Sequence, residues 1–224
     1  MKNGFFSYLL ANMLFEREAV KFGQFKLKLH EKNPDAPLSP FYFNIRSKDH
    51  PKNPGPLTKE DCDLIACIML SRIEFESQLH FEAMAGLPYA ADSIIESIEK
   101  MIPDYKEYFR IIKLHKEVSE DKRRIVPLPG FEYRDGENVL LVDDLVTKAH
   151  SKLEAIHAVE SQGSVVKYLL VLLDRMQGGA EQLREAGYTL ISCVTATELF
   201  DYYLMAGKIN REKWVECMDY IKSN

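Results

Sequence analysis

The sequence predicts an α/β fold, a central and mainly parallel sheet flanked by helices with an N-terminal hood. Three observations predict it. Residues 139–142 and 165–173 are near-continuous apolar runs, as expected of strands buried on both faces. Each run is followed by helical spacing, at Leu153, Ile156 and Val159 after the first and at 183–187 after the second. Strand and helix signals then alternate along most of the chain, which is the sequence form of a parallel sheet.

In order, residues 4–18 fit an amphipathic helix, and extended segments up to about 46 form the hood. Within it, the polar stretch 29–38, with Pro34 and Pro37, reads as a loop insertion. A helix is expected over 58–73, a strand near 79–83, a helix over 89–101, and a strand over 108–114 that leads into an irregular segment. After strand 139–142, the capping-box pattern Ser151-Lys152-Leu153-Glu154 opens a helix that Gly163 closes. Strand 165–173, a helix, strand 189–195 and helices from 198 and from 211 complete the order. Residues 1–224 are expected to form one domain, with the hood at about 1–50, the core at about 58–207 and a C-terminal helix at about 211–224.

Composition narrows the function. A chain of 224 residues with 46% hydrophobic content can bury one substantial core. A formal charge of -5 argues against a nucleic-acid surface, which needs a cationic footprint. The longest cationic cluster, Lys122-Arg123-Arg124, is balanced by Glu117, Glu120 and Asp121 and reads as a solvated loop. Cys62, Cys67, Cys193 and Cys217 form no close pair and lack a histidine at metal spacing, so they read as buried thiols. The N-terminal apolar run breaks at Asn12 and Glu16 without a cleavage site, and no segment nears the roughly 20 apolar residues that span a bilayer. A cytoplasmic protein with no membrane partner is the expectation.

Two motifs carry chemistry. In Val139-Leu140-Leu141-Val142-Asp143-Asp144-Leu145-Val146-Thr147-Lys148-Ala149-His150-Ser151, an apolar strand delivers two adjacent carboxylates into a loop that opens a helix. Unpaired N–H groups and the helix dipole at such a start suit a phosphate dianion, and carboxylates just before it can hold ribose hydroxyls. In the second motif, Asp174-Arg175-Met176-Gln177-Gly178-Gly179, an arginine ends a strand on the side where open α/β sheets bind ligands. Its forked guanidinium suits carbonyl or carboxylate oxygens of a planar base.

The first motif is similar to the phosphoribosyl pyrophosphate (PRPP) motif of type I phosphoribosyltransferases. That resemblance implies Asp143 and Asp144 on the ribose and in catalysis, and Thr147, Lys148, Ala149, His150 and Ser151 around the 5′-phosphate. Ala149 and His150 stand where the family has glycine or another small residue. The second motif resembles the Asp-Arg-x-Gln-Gly-Gly segment of orotate phosphoribosyltransferases, which implies that Arg175 faces the base. Val20-Lys21-Phe22-Gly23-Gln24-Phe25-Lys26-Leu27-Lys28 and Ser39-Pro40-Phe41-Tyr42-Phe43-Asn44 resemble that family's hood, implying base contacts from Lys28, Tyr42 and Phe43.

Two regions depart further. Within 81–88, only 86–88 matches the family's pyrophosphate loop. His115-Lys116-Glu117-Val118-Ser119-Glu120-Asp121 resembles its mobile catalytic loop, keeping Lys116 for pyrophosphate, while Ser119 and Asp121 replace a second lysine and an imidazole or phenol. The resemblance implies transfer of phosphoribosyl from PRPP to orotate, giving orotidine 5′-monophosphate and pyrophosphate, with Mg2+ carried by PRPP and a homodimer that shares the loop. The departed loops predict reduced turnover. Two other readings stay open: a non-catalytic nucleotide-binding or regulatory relative, and a phosphoribosyltransferase for another base.

Overall fold

The computed structural model describes residues 4–27, 30, 33–102, 104–119 and 122–223. Helix α1 (Gly4–Glu16) precedes an antiparallel pair, β1 (Val20–Phe25) and β2 (Ser39–Phe43). Helix α2 (Lys59–Glu74) follows, capped by Thr58: its hydroxyl accepts from Asp61 N at 3.3 Å while Asp61 Oδ2 accepts from Thr58 N at 2.8 Å. Arg17 Nε reaches the same Asp61 at 2.8 Å and so ties the end of α1 to the start of α2.

The main sheet has the order β5-β4-β3-β6-β7-β8. Its strands are β3 (Ala83–Gly86), β4 (Arg110–Ser119), β5 (Lys122–Pro127), β6 (Asn138–Val146), β7 (Val165–Asp174) and β8 (Thr189–Thr195). All neighbours are parallel except the β4–β5 hairpin. Helices α3 (Asp92–Met101), α4 (His150–Glu160), α5 (Gly179–Glu185), α6 (Ala196–Met205) and α7 (Arg211–Lys222) complete the chain. Burial on both faces explains the unbroken apolar runs. On β6, Leu140 and Val142 pack with Ile65 and Met69 of α2, while Val139 and Leu141 pack with Ile156 of α4 and Leu183 of α5. Each such side chain contributes roughly 1.5–3 kcal/mol on burial, so strand alternation ties both helical layers to one sheet.

Several expectations need correction. The strand expected near 79–83 lies at β3, because 79–82 is turn and connection up to Glu82. The expected irregular segment after 114 contains the rest of β4 and all of β5, and the 122–124 cluster lies on that strand rather than in a loop. Asp143 and Asp144 sit inside β6, not in a loop after it, since β6 stays paired with β7 as far as Val146. The Ser151 capping box is absent: Ala149 is the N-cap, without a side-chain cap bond, and Glu154 Oε1 instead accepts from Ile125 N at 2.8 Å. Helix α5 begins at Gly179 and α3 at Asp92, while Cys67 is exposed, unlike the other three thiols.

Candidate active site

Strand order places the site. From β3 the chain runs outward through β4 and β5, and from β6 it runs the other way through β7 and β8, so the topology switches between β3 and β6. Ligands of open α/β sheets bind beyond the carboxyl ends of the strands at such a point. A cleft of about 200 Å³ lies there, lined by Leu87 and Pro88 after β3, Lys116 of β4, Asp143 and Asp144 of β6, and Lys152 of α4. Phe43 and Arg46, at and after the end of β2, also line it.

The acid pair is buried, Asp143 at 5% and Asp144 at 8% exposure. Lys152, one turn into α4 and equally buried, places Nζ 2.6 Å from Asp143 Oδ2 and donates to the Leu145 carbonyl at 2.7 Å. Asp143 Oδ1 accepts from Asp144 N at 2.9 Å, and Asp144 Oδ1 accepts from Leu145 N at 2.6 Å. Burial, and then the charge of Asp143, push the Asp144 carboxyl up to about 7, against the pull of Lys152.

Two further cations, Arg46 and Lys116, line the cleft. The chain doubles back behind Arg46, where Leu57 N donates to the Arg46 carbonyl at 3.2 Å and Gly55 N to the Ser47 carbonyl at 2.9 Å. A Cβ at Gly55 would lie 2.1 Å from the Arg46 oxygen, so only glycine permits the approach. Tyr89 is held at φ +65°, a strained left-handed geometry for a residue with a side chain. Lys116 Nζ lies 5.3 Å and Lys52 Nζ 4.9 Å from its ring centroid, within cation–π range. His50 meets the same ring edge-on at 6.2 Å, and burial, then Arg46, lower its pKa.

The second motif forms a tight loop on β7. Asp174 Oδ1 accepts from Met176 N at 2.8 Å, Met176 takes φ +58°, and Arg175 N donates to the Val146 carbonyl at 3.0 Å. A Cβ at Gly179 would sit 2.6 Å from Val146 Cγ2, so glycine lets this loop press against the end of β6. The Arg175 guanidinium is 5.3 Å from the Phe41 ring and 5.7 Å from the Phe43 ring. Arg175 is 6% exposed, and burial lowers its pKa to about 10, which leaves it charged near neutrality. Its Nε and Nη2 have no hydrogen-bond partner among the described residues. A buried, charged and unsatisfied fork is costly unless a ligand completes it.

No protein-family model matches the chain. Over 197 residues it is 32% identical to the orotate phosphoribosyltransferase of Methanopyrus kandleri, an alignment covering 85% of this chain and 90% of that protein. The chain belongs to the orotate phosphoribosyltransferase family. It is also 26% identical over 214 residues to the uridine 5′-monophosphate synthase of Caenorhabditis elegans, where 95% of this chain spans only 39% of that protein. Among solved structures, the UMP synthase of Leishmania donovani superposes with a TM-score of 0.73 at 25% identity, covering 97% of this chain and 42% of that one.

Within this type I phosphoribosyltransferase fold, the family's motif residues fall into distinct places. Asp143, Asp144, Lys116, Ser151 and Phe43 all line the one cleft. Arg175 lies behind Phe43 rather than in the lining. Tyr42 is on the opposite face of β2 from Phe41 and Phe43 and packs on Phe25 at 5.7 Å, while its phenol still acts on the charge of Arg175. Lys148 and His150 are exposed, while the Ala149 methyl is fully buried in the core beneath α4 and α5. Thr147 is half-buried, its carbonyl at the Gly179 approach. Lys28, Glu120 and Asp121 lie outside the described residues. Sequence reasoning missed Lys152, Arg46, Phe41 and Tyr89. Phe41 was legible from alternation with Phe43, and Tyr89 directly follows the matched 86–88, but nothing local marked Lys152 or Arg46.

Proposed function

We propose that the protein transfers the phosphoribosyl group of PRPP to orotate, releasing pyrophosphate and orotidine 5′-monophosphate. One observation carries this reading: buried paired acids share a single cleft with two cations, Arg46 and Lys116. PRPP has the matching layout, with hydroxyls on the ribose and a strongly anionic leaving group on C1. The M. kandleri relative, named as an orotate phosphoribosyltransferase, supports it.

In the reaction a base nitrogen forms a bond to ribose C1 while the C1–oxygen bond breaks and its electron pair leaves with pyrophosphate. Positive charge develops on the sugar and negative charge on the departing oxygen. The acid pair would hold the hydroxyls and stabilise the cationic ring, while Arg46 and Lys116 would meet the leaving group, an interaction that strengthens in the transition state. Arg175 would present its unpaired N–H groups to the oxygens of orotate beside Phe43, which lines the cleft. Thr147 to Ser151 would receive the 5′-phosphate.

Mg2+ would arrive on PRPP oxygens and supply charge to the leaving group. Among the described residues no three His, Cys, Asp or Glu side chains converge on one point, and Lys152 already stands against Asp143. A homodimer exchanging its β4–β5 hairpins, in the cytoplasm, belongs to the same reading; sedimentation tests the dimer. Pyrophosphate release measured over a panel of purine and pyrimidine bases tests the activity. Release with orotate alone supports the proposal, release with a different base moves the substrate, and nucleotide binding without release favours a non-catalytic relative.

A further inference from the structure

We propose that Lys152 divides the labour of the two acids: it holds Asp143 as an internal anion of the scaffold and leaves Asp144 as the carboxyl that takes the sugar hydroxyls. The inference rests on the sugar-phosphate reading above and sharpens it. Asp143 has both oxygens engaged inside the protein, Oδ2 by Lys152 Nζ at 2.6 Å and Oδ1 by the Asp144 N–H at 2.9 Å. The ammonium is itself fixed twice, by Asp143 and by the Leu145 carbonyl at 2.7 Å. Both side chains are 6% exposed, so water does little to weaken the pair.

Charge gives the arrangement its purpose. Two adjacent carboxylates at the foot of a cleft would repel a ligand that carries a phosphate and a pyrophosphate. Lys152, from the first turn of α4, lines the same cleft and offsets one of them, its ammonium held by Asp143 and the Leu145 carbonyl. Lys152 is thus a positioning residue: it acts on the sugar through Asp143 and the charge of the pair. Removing the ammonium alone leaves Asp143 buried and unpaired, free to turn toward the cleft. Removing both partners leaves a neutral pair of similar size.

The test compares Lys152→Met, Asp144→Asn and the double variant Asp143→Asn with Lys152→Met, using PRPP titrations by calorimetry and steady-state KM for PRPP and for orotate. Lys152→Met should raise the KM for PRPP by about tenfold or more while that for orotate moves less than about threefold, a split that general damage to the fold does not produce. Adding Asp143→Asn should return PRPP affinity most of the way to wild type. Asp144→Asn should lose PRPP binding, on the order of a hundredfold, with the fold intact by circular dichroism. If Lys152→Met does not fold, the other two proteins still decide. A folded double variant as defective as Asp144→Asn would overturn the division of labour, as would an Asp144→Asn protein that binds PRPP normally. A wild-type protein that binds neither PRPP nor orotidine monophosphate would instead overturn the reading beneath it.

Discussion

Gln182 Oε1, on α5, accepts the backbone N–H of Ala149 at 2.9 Å, so the N-terminus of α4 is capped from a neighbouring helix rather than by its own first turn. That N–H belongs to the loop expected to meet the 5′-phosphate. The loop that carries Arg175 and the loop that follows the acids are thereby joined three ways: by Gln182, by Arg175 N on Val146, and by the glycine approach at Gly179.

Gln182→Ala should therefore lower unfolding free energy by about 1 kcal/mol, the usual cost of losing a helix cap. Urea denaturation measures it. A change within error would mean that solvent caps Ala149 equally well.

Ala149→Gly separates stability from binding. The methyl is fully buried in the core and not in the cleft lining, so its removal should cost on the order of 1 kcal/mol while PRPP affinity stays within about threefold. Thermal melts and PRPP titration on the same protein read the two effects, and a large change in PRPP affinity would show that the methyl faces the ligand.

Arg175→Ala removes a charged fork stacked on Phe41 and Phe43 and should weaken orotate or orotidine monophosphate by roughly 1.5–3 kcal/mol. Arg175→Lys should not restore it, because an ammonium lacks the planar pair of donors. Calorimetry showing unchanged affinity in either variant would move the base site elsewhere.

Arg46→Ala should cost on the order of a hundredfold in kcat/KM for PRPP, as expected for one donor aimed at developing charge. Steady-state kinetics on Arg46→Ala and Lys116→Ala compare the two cations. Equal and small losses in both would place the leaving group away from these two cations.

Stability should also depend on pH through Asp144. Its folded pKa, about 7, lies above the 3.8 of the unfolded side chain, so the folded state binds the extra proton between these values. Stability then falls as pH rises through that window, by up to about 1.4 kcal/mol per unit. The charged groups acting on Asp144 are Asp143 and Lys152, and Arg46 and Lys116 line the same cleft. Asp144→Asn should flatten the slope between pH 4 and 7, measured by chemical denaturation at stepped pH.

Much of the fold was legible because periodicity reports burial directly. The runs at 139–142 and 165–173 could be nothing but doubly covered strands in this alternation, and they lie in β6 and β7. The hairpin β4–β5 escaped beyond 114 because its strands are polar on one face, carrying Lys113, Glu117 and Arg124, with Lys116 interrupting the apolar face of Ile112, Leu114 and Ile125. The apparent capping box at Ser151 failed because tertiary partners took its acid: Glu154 reaches Ile125 of β5, and Gln182 takes the N-terminal amide. In the site, the acids and Arg175 could be read from their motifs, since each motif follows an unbroken apolar run, 139–142 or 165–173. Arg46 and Lys152 could not, because their placement depends on a chain reversal at Gly55 and on a helical turn folding back over β6.

The most direct test is to incubate the wild-type protein with orotate, PRPP and Mg2+ and to follow both products by chromatography. Orotidine 5′-monophosphate and pyrophosphate should appear in equal amounts, and Asp144→Asn should form neither at a comparable rate. Absence of both products from folded wild-type protein at saturating PRPP and orotate would contradict the assignment of this cleft to phosphoribosyl transfer.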